Sequence, residues 1–223
     1  MDPFRLCLAL GPVAIYLLLL GAVNLSRRPL LVSGGRDAAA LGLAVSGLVI
    51  IGPMELFVPF RAVVQFGPYL WLLLLALYAS GVVLVLLLLR PRLVIYNVSV
   101  DKLRPILAEL VDQLDADARW AGDSLVLPRL GVQLYIDSFA AFHSASLISA
   151  GGHQSQAGWR RLETALGDAL AREEVARNLG GLGLVTVGML IIVGIVWAIA
   201  QNPQAVAQSL LDFVPSLLKM VGR

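Results

Sequence analysis

The chain has 223 residues, 58% of them hydrophobic and 14% charged, with a formal net charge of +2 and a mean hydropathy of +0.82. Values this apolar lie outside the range of ordinary soluble domains and indicate an integral membrane protein, and so small and scattered a charge excludes the concentrated basic stripe that nucleic acid requires. The single cysteine, Cys7, excludes an intramolecular disulfide or a multi-cysteine metal centre.

A spanning helix needs roughly 20 mostly apolar residues, because each adds about 1.5 Å of rise. Residues 1–90 supply three such segments, at about 6–25, 38–60 and 68–89, and residues 179–201 supply a fourth. The first is followed by "VNLSRR" where a small-residue cleavage site would be needed, so it is read as a retained span rather than a signal peptide. Tyr69, Trp71 and Trp197 stand where interfacial aromatics anchor helices. Ala38, Gly42 and Ser46 recur at intervals of four on the second span, and Gly181, Gly188 and Gly194 thin one side of the fourth, so both are expected to pack closely. The third span is nearly featureless and is expected to face lipid.

Glu55, in "GPMELFVPF", is the only acid within a predicted span and is the candidate intramembrane functional acid. A proton- or cation-handling site could be built on it with carbonyls released by Pro53 and Pro59. Its position near the end of the span, with Arg61 close by, favours a structural or interfacial role.

Arg27, Arg28, Arg36, Arg90, Arg92, Lys102, Arg104 and Arg177 gather on one side of the spans, against Arg5, Arg61, Lys219 and Arg223 on the other. The excess of basic residues belongs to cytoplasmic loops, which puts residues 91–178 in the cytoplasm and both termini outside. Fifteen of the seventeen basic residues are arginine in a chain rich in Ala, Leu and Gly, as GC-rich bacterial genes encode, which points to a bacterial inner membrane.

Residues 91–178 have the periodicities of a small folded domain. "LVIYNV" reads as a strand. Leu103, Ile106, Leu107, Leu110, Val111 and Leu114 then form one face of a helix, with Asp101 as its N-cap and Glu109, Asp112, Gln113 and Asp115 on the opposite face. Gly122-Asp123 marks a tight hairpin with positive φ at its first turn residue. Val132, Leu134 and Ile136 alternate with Gln133, Tyr135 and Asp137, so that strand has one buried face and one open face. "SASLISA" is a weaker strand, and Trp159, Leu162, Leu166 and Leu170 line a second helix. The order β-α-β-β-β-α predicts an α+β domain, ferredoxin-like in a loose sense, with two helices over one face of a sheet. Residues 202–223 have the pattern of an amphipathic interfacial helix.

Neither His143 nor His153 stands at a metal-ligand spacing, and no phosphate loop, dinucleotide fingerprint, HExxH or GxSxG occurs. The sequence therefore predicts no catalytic residues, no metal and no cofactor. It predicts a non-catalytic subunit, anchor or regulatory module whose partners are the lipid bilayer and another protein or a second copy of itself. The competing readings are a small transporter using Glu55 and a membrane-tethered ligand sensor using the face of Gln133, Tyr135 and Asp137.

Overall fold

A computed structural model of the chain describes residues 3–57, 68–139, 144–152, 154–204 and 206–207. They form two compact units, one of Met1–Leu18, Ala39–Leu87 and Val185–Arg223, the other of Leu19–Ala38 and Leu88–Leu184.

The first unit is helical. It is formed by parts of α1 (Pro3–Leu25), α2 (Gly34–Phe57), α3 (Pro68–Leu88) and α6 (Gly180–Gln201). Among the described residues, α1 and α6 are long and apolar enough to cross a membrane, and only 17% and 11% of their most apolar windows are buried, unlike the mostly buried core helix of a soluble domain. Small residues set the packing. A Cβ on Gly47 would fall 2.1 Å from the Leu8 carbonyl oxygen, which ties α2 to α1. Gly42 faces Val82, and the Tyr78 hydroxyl donates to the Gly42 carbonyl, which ties α2 to α3. Gly188 packs on Leu18 and Ala14, whereas a Cβ on Gly194 would meet none of the described residues within 4 Å. The expected stripe through Ala38, Gly42 and Ser46 therefore holds at Gly42, while Ser46 bonds only its own helix at Leu43 and the tightest approach is at Gly47.

The second unit is a six-stranded sheet with two helices on one face. Its strands are β1 (Leu30–Ser33), β2 (Arg92–Tyr96), β3 (Arg119–Ala121), β4 (Ser124–Leu127), β5 (Val132–Phe139) and β6 (Ser144–Ser149), in the order β1-β2-β6-β5-β4-β3 and antiparallel at every pairing. Each of β3 to β6 pairs with the next in a meander, and β2 joins beside β6. The crossover from β2 through α4 (Val100–Leu114) to β3 thus passes three strands, and the layout is not the split β-α-β arrangement of a ferredoxin-like sheet. Gly122 has φ +63° at the first of the two turn residues joining β3 to β4, a value an L side chain rarely adopts.

Leu103, Leu107 and Val111 of α4, and Trp159, Leu162, Leu166 and Leu170 of α5 (Gln156–Ala171), close over Leu93, Ile95, Leu125, Leu127, Val132, Leu134, Ile136 and Leu147 of the sheet. Each such leucine, taken fully out of water, contributes about 1.5–3 kcal/mol. The cap of α4 is Ser99 rather than Asp101, which lies in the first turn. Asp115 is not on the polar face of α4. It lies one residue beyond the helix, 1% exposed, and its carboxylate accepts from the backbone N–H groups of Asp117, Arg129 and Leu130 at 3.1, 2.8 and 3.3 Å. Arg129 meanwhile pairs with Asp117 at 2.7 Å on the surface, which pushes its guanidinium pKa above the ordinary value.

β1 comes from the segment between the first two apolar helices, where the sequence suggests only a connection. Pro29 bars a helix there, Leu31 packs against the core, and Leu30 to Ser33 pair with Tyr96 to Leu93. The chain then turns directly into α2 at Gly34. Asn97, buried and at φ +63°, donates from its side chain to the Ser26 carbonyl at 2.7 Å and pins the end of β2 to the end of α1.

A second pin lies between Asn24 and Asn178, which are 1% and 9% exposed. The backbone N–H of Asn178 donates to the Asn24 carbonyl at 3.0 Å, its side-chain amide donates to Asn24 Oδ1 at 3.3 Å, and its Oδ1 accepts from the Gly180 N–H at 2.9 Å. Asn178 thus caps α6 and satisfies the Asn24 carbonyl left over at the end of α1. Gly180 and Gly181 are the first residues of α6, separated from α5 by an irregular segment, so no continuous helix runs through them. A Cβ on Gly181 would lie 2.9 Å from the Gly21 carbonyl oxygen, and that close approach explains the glycine. Asn178→Ala should cost about 1–2 kcal/mol, with only part of it recovered by Asn178→Asp, which keeps the capping acceptor but loses the donor to Asn24 Oδ1. Thermal melts of the detergent-solubilised protein check this; equal losses for both variants would contradict it.

Candidate interaction surface

With α4 and α5 on one side of the sheet, every second residue of each strand points to the other side. Pairing brings Ser124, Tyr135, Ile148 and Arg92 into one row across β4, β5, β6 and β2, and Asp137, Ser146, Val94 and Val32 into the next. Gln133 stands opposite Val126.

This face is divided. At its β2 end, Asp37 in the first turn of α2 accepts from the Tyr96 hydroxyl and from Arg92 Nη2 at 3.1 Å, and a Cβ on Gly34 would overlap the Arg92 side chain. A carboxylate in that turn also suits the positive end of the helix dipole. At the β5 end no described residue makes a comparable contact over the strands. Gln133, Tyr135 and Asp137 are all exposed, Tyr135 at 39%, with half-buried Val126, Ser146 and Ile148 between them.

The backbone beneath this patch is firmly held. The Gln154 side chain accepts from the Gln133 N–H at 3.3 Å, donates to the Gln133 carbonyl at 3.0 Å, and accepts from Trp159 Nε1 at 2.9 Å, which locks the start of β5 to α5. The patch therefore offers a phenol, a carboxylate, a carboxamide and serine hydroxyls on a rigid sheet, with apolar side chains between them. Such a mixture suits recognition by hydrogen bonds around an aromatic anchor.

Of the residues singled out from sequence, the structure brings Gln133, Tyr135 and Asp137 onto one exposed face. The backbone of Glu55 lies in the last turn of α2, its side chain is outside the described residues, and so are Arg61, His143 and His153. Of the predicted C-terminal amphipathic helix over residues 202–223, residues 205 and 208–223 also lie outside them. Among the described residues no three His, Cys, Asp or Glu side chains converge as a metal site would need. A surface cleft between the first turn of α4 and Glu173–Val175 is lined by Asp101, Lys102, Pro105 and Ile106, and Gln133, Tyr135 and Asp137 are not among its lining residues. Asn24, Asn178 and Asp115 carry structural roles that periodicity does not signal, because each serves a helix end rather than a helix face. Comparison with protein-family models, with curated proteins and with solved structures gives no match.

Proposed function

We propose that this chain is a four-span protein of a bacterial inner membrane, with residues 91–178 cytoplasmic and both termini outside, and that it serves as a non-catalytic subunit, anchor or regulatory module. The exposed half of its sheet is the surface it offers to a protein partner. The observation that carries this reading is the asymmetry of that face. Its β2 half is bonded to the start of α2 through Asp37, while its β5 half presents Gln133, Tyr135 and Asp137 on a backbone locked by Gln154. Two helices long and apolar enough to span, and little buried, support the membrane placement.

The ends of α1, α2 and α6 belong to the same compact unit as the strands.

The test is co-purification. A C-terminally tagged chain, extracted from its native membranes in mild detergent, should bring down one stoichiometric protein identified by mass spectrometry. Tyr135→Arg combined with Asp137→Arg should reduce that recovery at least tenfold, with the far-UV circular dichroism unchanged, because a truncated or reversed anchor at the centre of an interface costs about 2 kcal/mol or more. Recovery equal to wild type would remove this surface from the account.

A further inference from the structure

We infer that the helix ends within the second unit carry a collar for anionic phospholipid headgroups, formed by Arg27, Arg28, Arg36, Arg90 and Arg177; this rests on the membrane placement proposed above. Arg27 and Arg28 follow α1, and Arg177 precedes α6. The two segments are joined by the Val175 N–H donating to the Arg27 carbonyl at 2.9 Å. Arg36 lies in the first turn of α2 and Arg90 follows α3, and those two segments are joined by the Asp37–Arg92 pair. The four-residue β1, on the order of 13 Å long, separates one group from the other. Because the chain leaves one apolar helix just before β1 and enters another just after it, both groups lie at the level where the helices meet the membrane.

Charge supports a lipid occupant. All five side chains are exposed, and none forms an ion pair with a described residue. The acid nearest to them in sequence, Asp37, is already engaged by Arg92 and Tyr96. Glu173 and Glu174 line the cleft beside α4. Apolar side chains complete the surface: Leu88 and Leu179 are 74% and 71% exposed beside Arg90 and Arg177, an arrangement costly in water and favourable against acyl chains. Arginine's planar fork binds phosphate oxygens in pairs, so the collar suits the phosphodiester of an anionic lipid better than a diffuse counter-ion cloud.

The experiment uses the full chain in mild detergent, with phosphatidylglycerol, phosphatidylcholine or inorganic phosphate added, read by native mass spectrometry and by thermal melting. Phosphatidylglycerol should bind roughly tenfold more tightly than phosphatidylcholine and raise the melting temperature, an amount that a few arginines at a lipid surface can supply. Arg27→Gln with Arg28→Gln and Arg177→Gln should bring the two lipids level. If that variant does not fold, Arg36→Gln with Arg90→Gln, at the other end of β1, must lower the preference. Equal binding of both lipids by the wild type overturns the inference, and so does reproduction of the effect by inorganic phosphate alone. Carbonate washing of native membranes separates this from the larger reading: release of the protein defeats the membrane placement, whereas retention with no lipid preference defeats only the collar.

Discussion

Asp115→Ala is expected to lower the stability of the sheet-and-helix unit by about 3 kcal/mol, among the largest effects of any single polar substitution in the chain. Its carboxylate is almost fully buried and accepts from three backbone N–H groups, those of Asp117, Arg129 and Leu130. Each donor stranded by the truncation loses a partner where water has poor access, at about 1–3 kcal/mol for a fully buried group. Asp115→Asn keeps an acceptor in place and should lose about half as much. Urea unfolding of the detergent-solubilised protein, followed through the buried Trp159, measures both, and an unchanged m-value marks the loss as one of stability. A loss below about 0.5 kcal/mol for the alanine variant would show that the loop finds other acceptors.

Gly158→Ala and Gly167→Ala should move stability in opposite directions although both glycines lie within α5. Helix propensity alone favours alanine by about 1 kcal/mol at each. At Gly158 the added Cβ would stand 2.1 Å from the Leu130 carbonyl oxygen and 2.9 Å from Val132 Cγ2, so either α5 shifts off the sheet or the turn before β5 moves. That overpacking should outweigh propensity and cost about 2–3 kcal/mol. At Gly167 a Cβ would meet only Leu31 Cδ2 at 3.7 Å, an ordinary contact, and the variant should gain up to about 1 kcal/mol. Thermal melts of the two variants side by side decide the matter. A gain at both positions would contradict the close docking of α5 on the turn before β5.

How much of this was legible in the sequence depends on what each residue does. The two helices over the sheet announced themselves, because Leu103, Leu107 and Val111, and Trp159, Leu162, Leu166 and Leu170, repeat at helical spacing with polar residues between. The alternation around Tyr135 and the Gly122-Asp123 turn were equally clear, since a strand with one wet face and a turn needing positive φ both leave local marks. β1 left none. Four residues cannot display a period, and Leu-Leu-Val beside arginines resembles any connection between apolar helices. Asp115 was misplaced because helical spacing was extended one residue past the end of the helix, where a side chain answers to the following loop instead. Asn24 and Asn178 are distant in sequence, and nothing local pairs them; what joins them is the shared need of two helix ends for partners. The open face was readable as open, but its division into a bonded half and an exposed half follows from Asp37 reaching β2, a contact between residues 55 and 59 positions apart.

The account stands most directly on the exposed half of the sheet being a protein-binding surface. A photo-crosslinking amino acid placed at Tyr135 in the full chain, irradiated in intact cells, tests it, with the same group at Arg161, exposed on α5, as the comparison. The account predicts one adduct of defined mass from position 135 and none of that mass from position 161. No adduct at 135, or the same adducts from both positions, would contradict it.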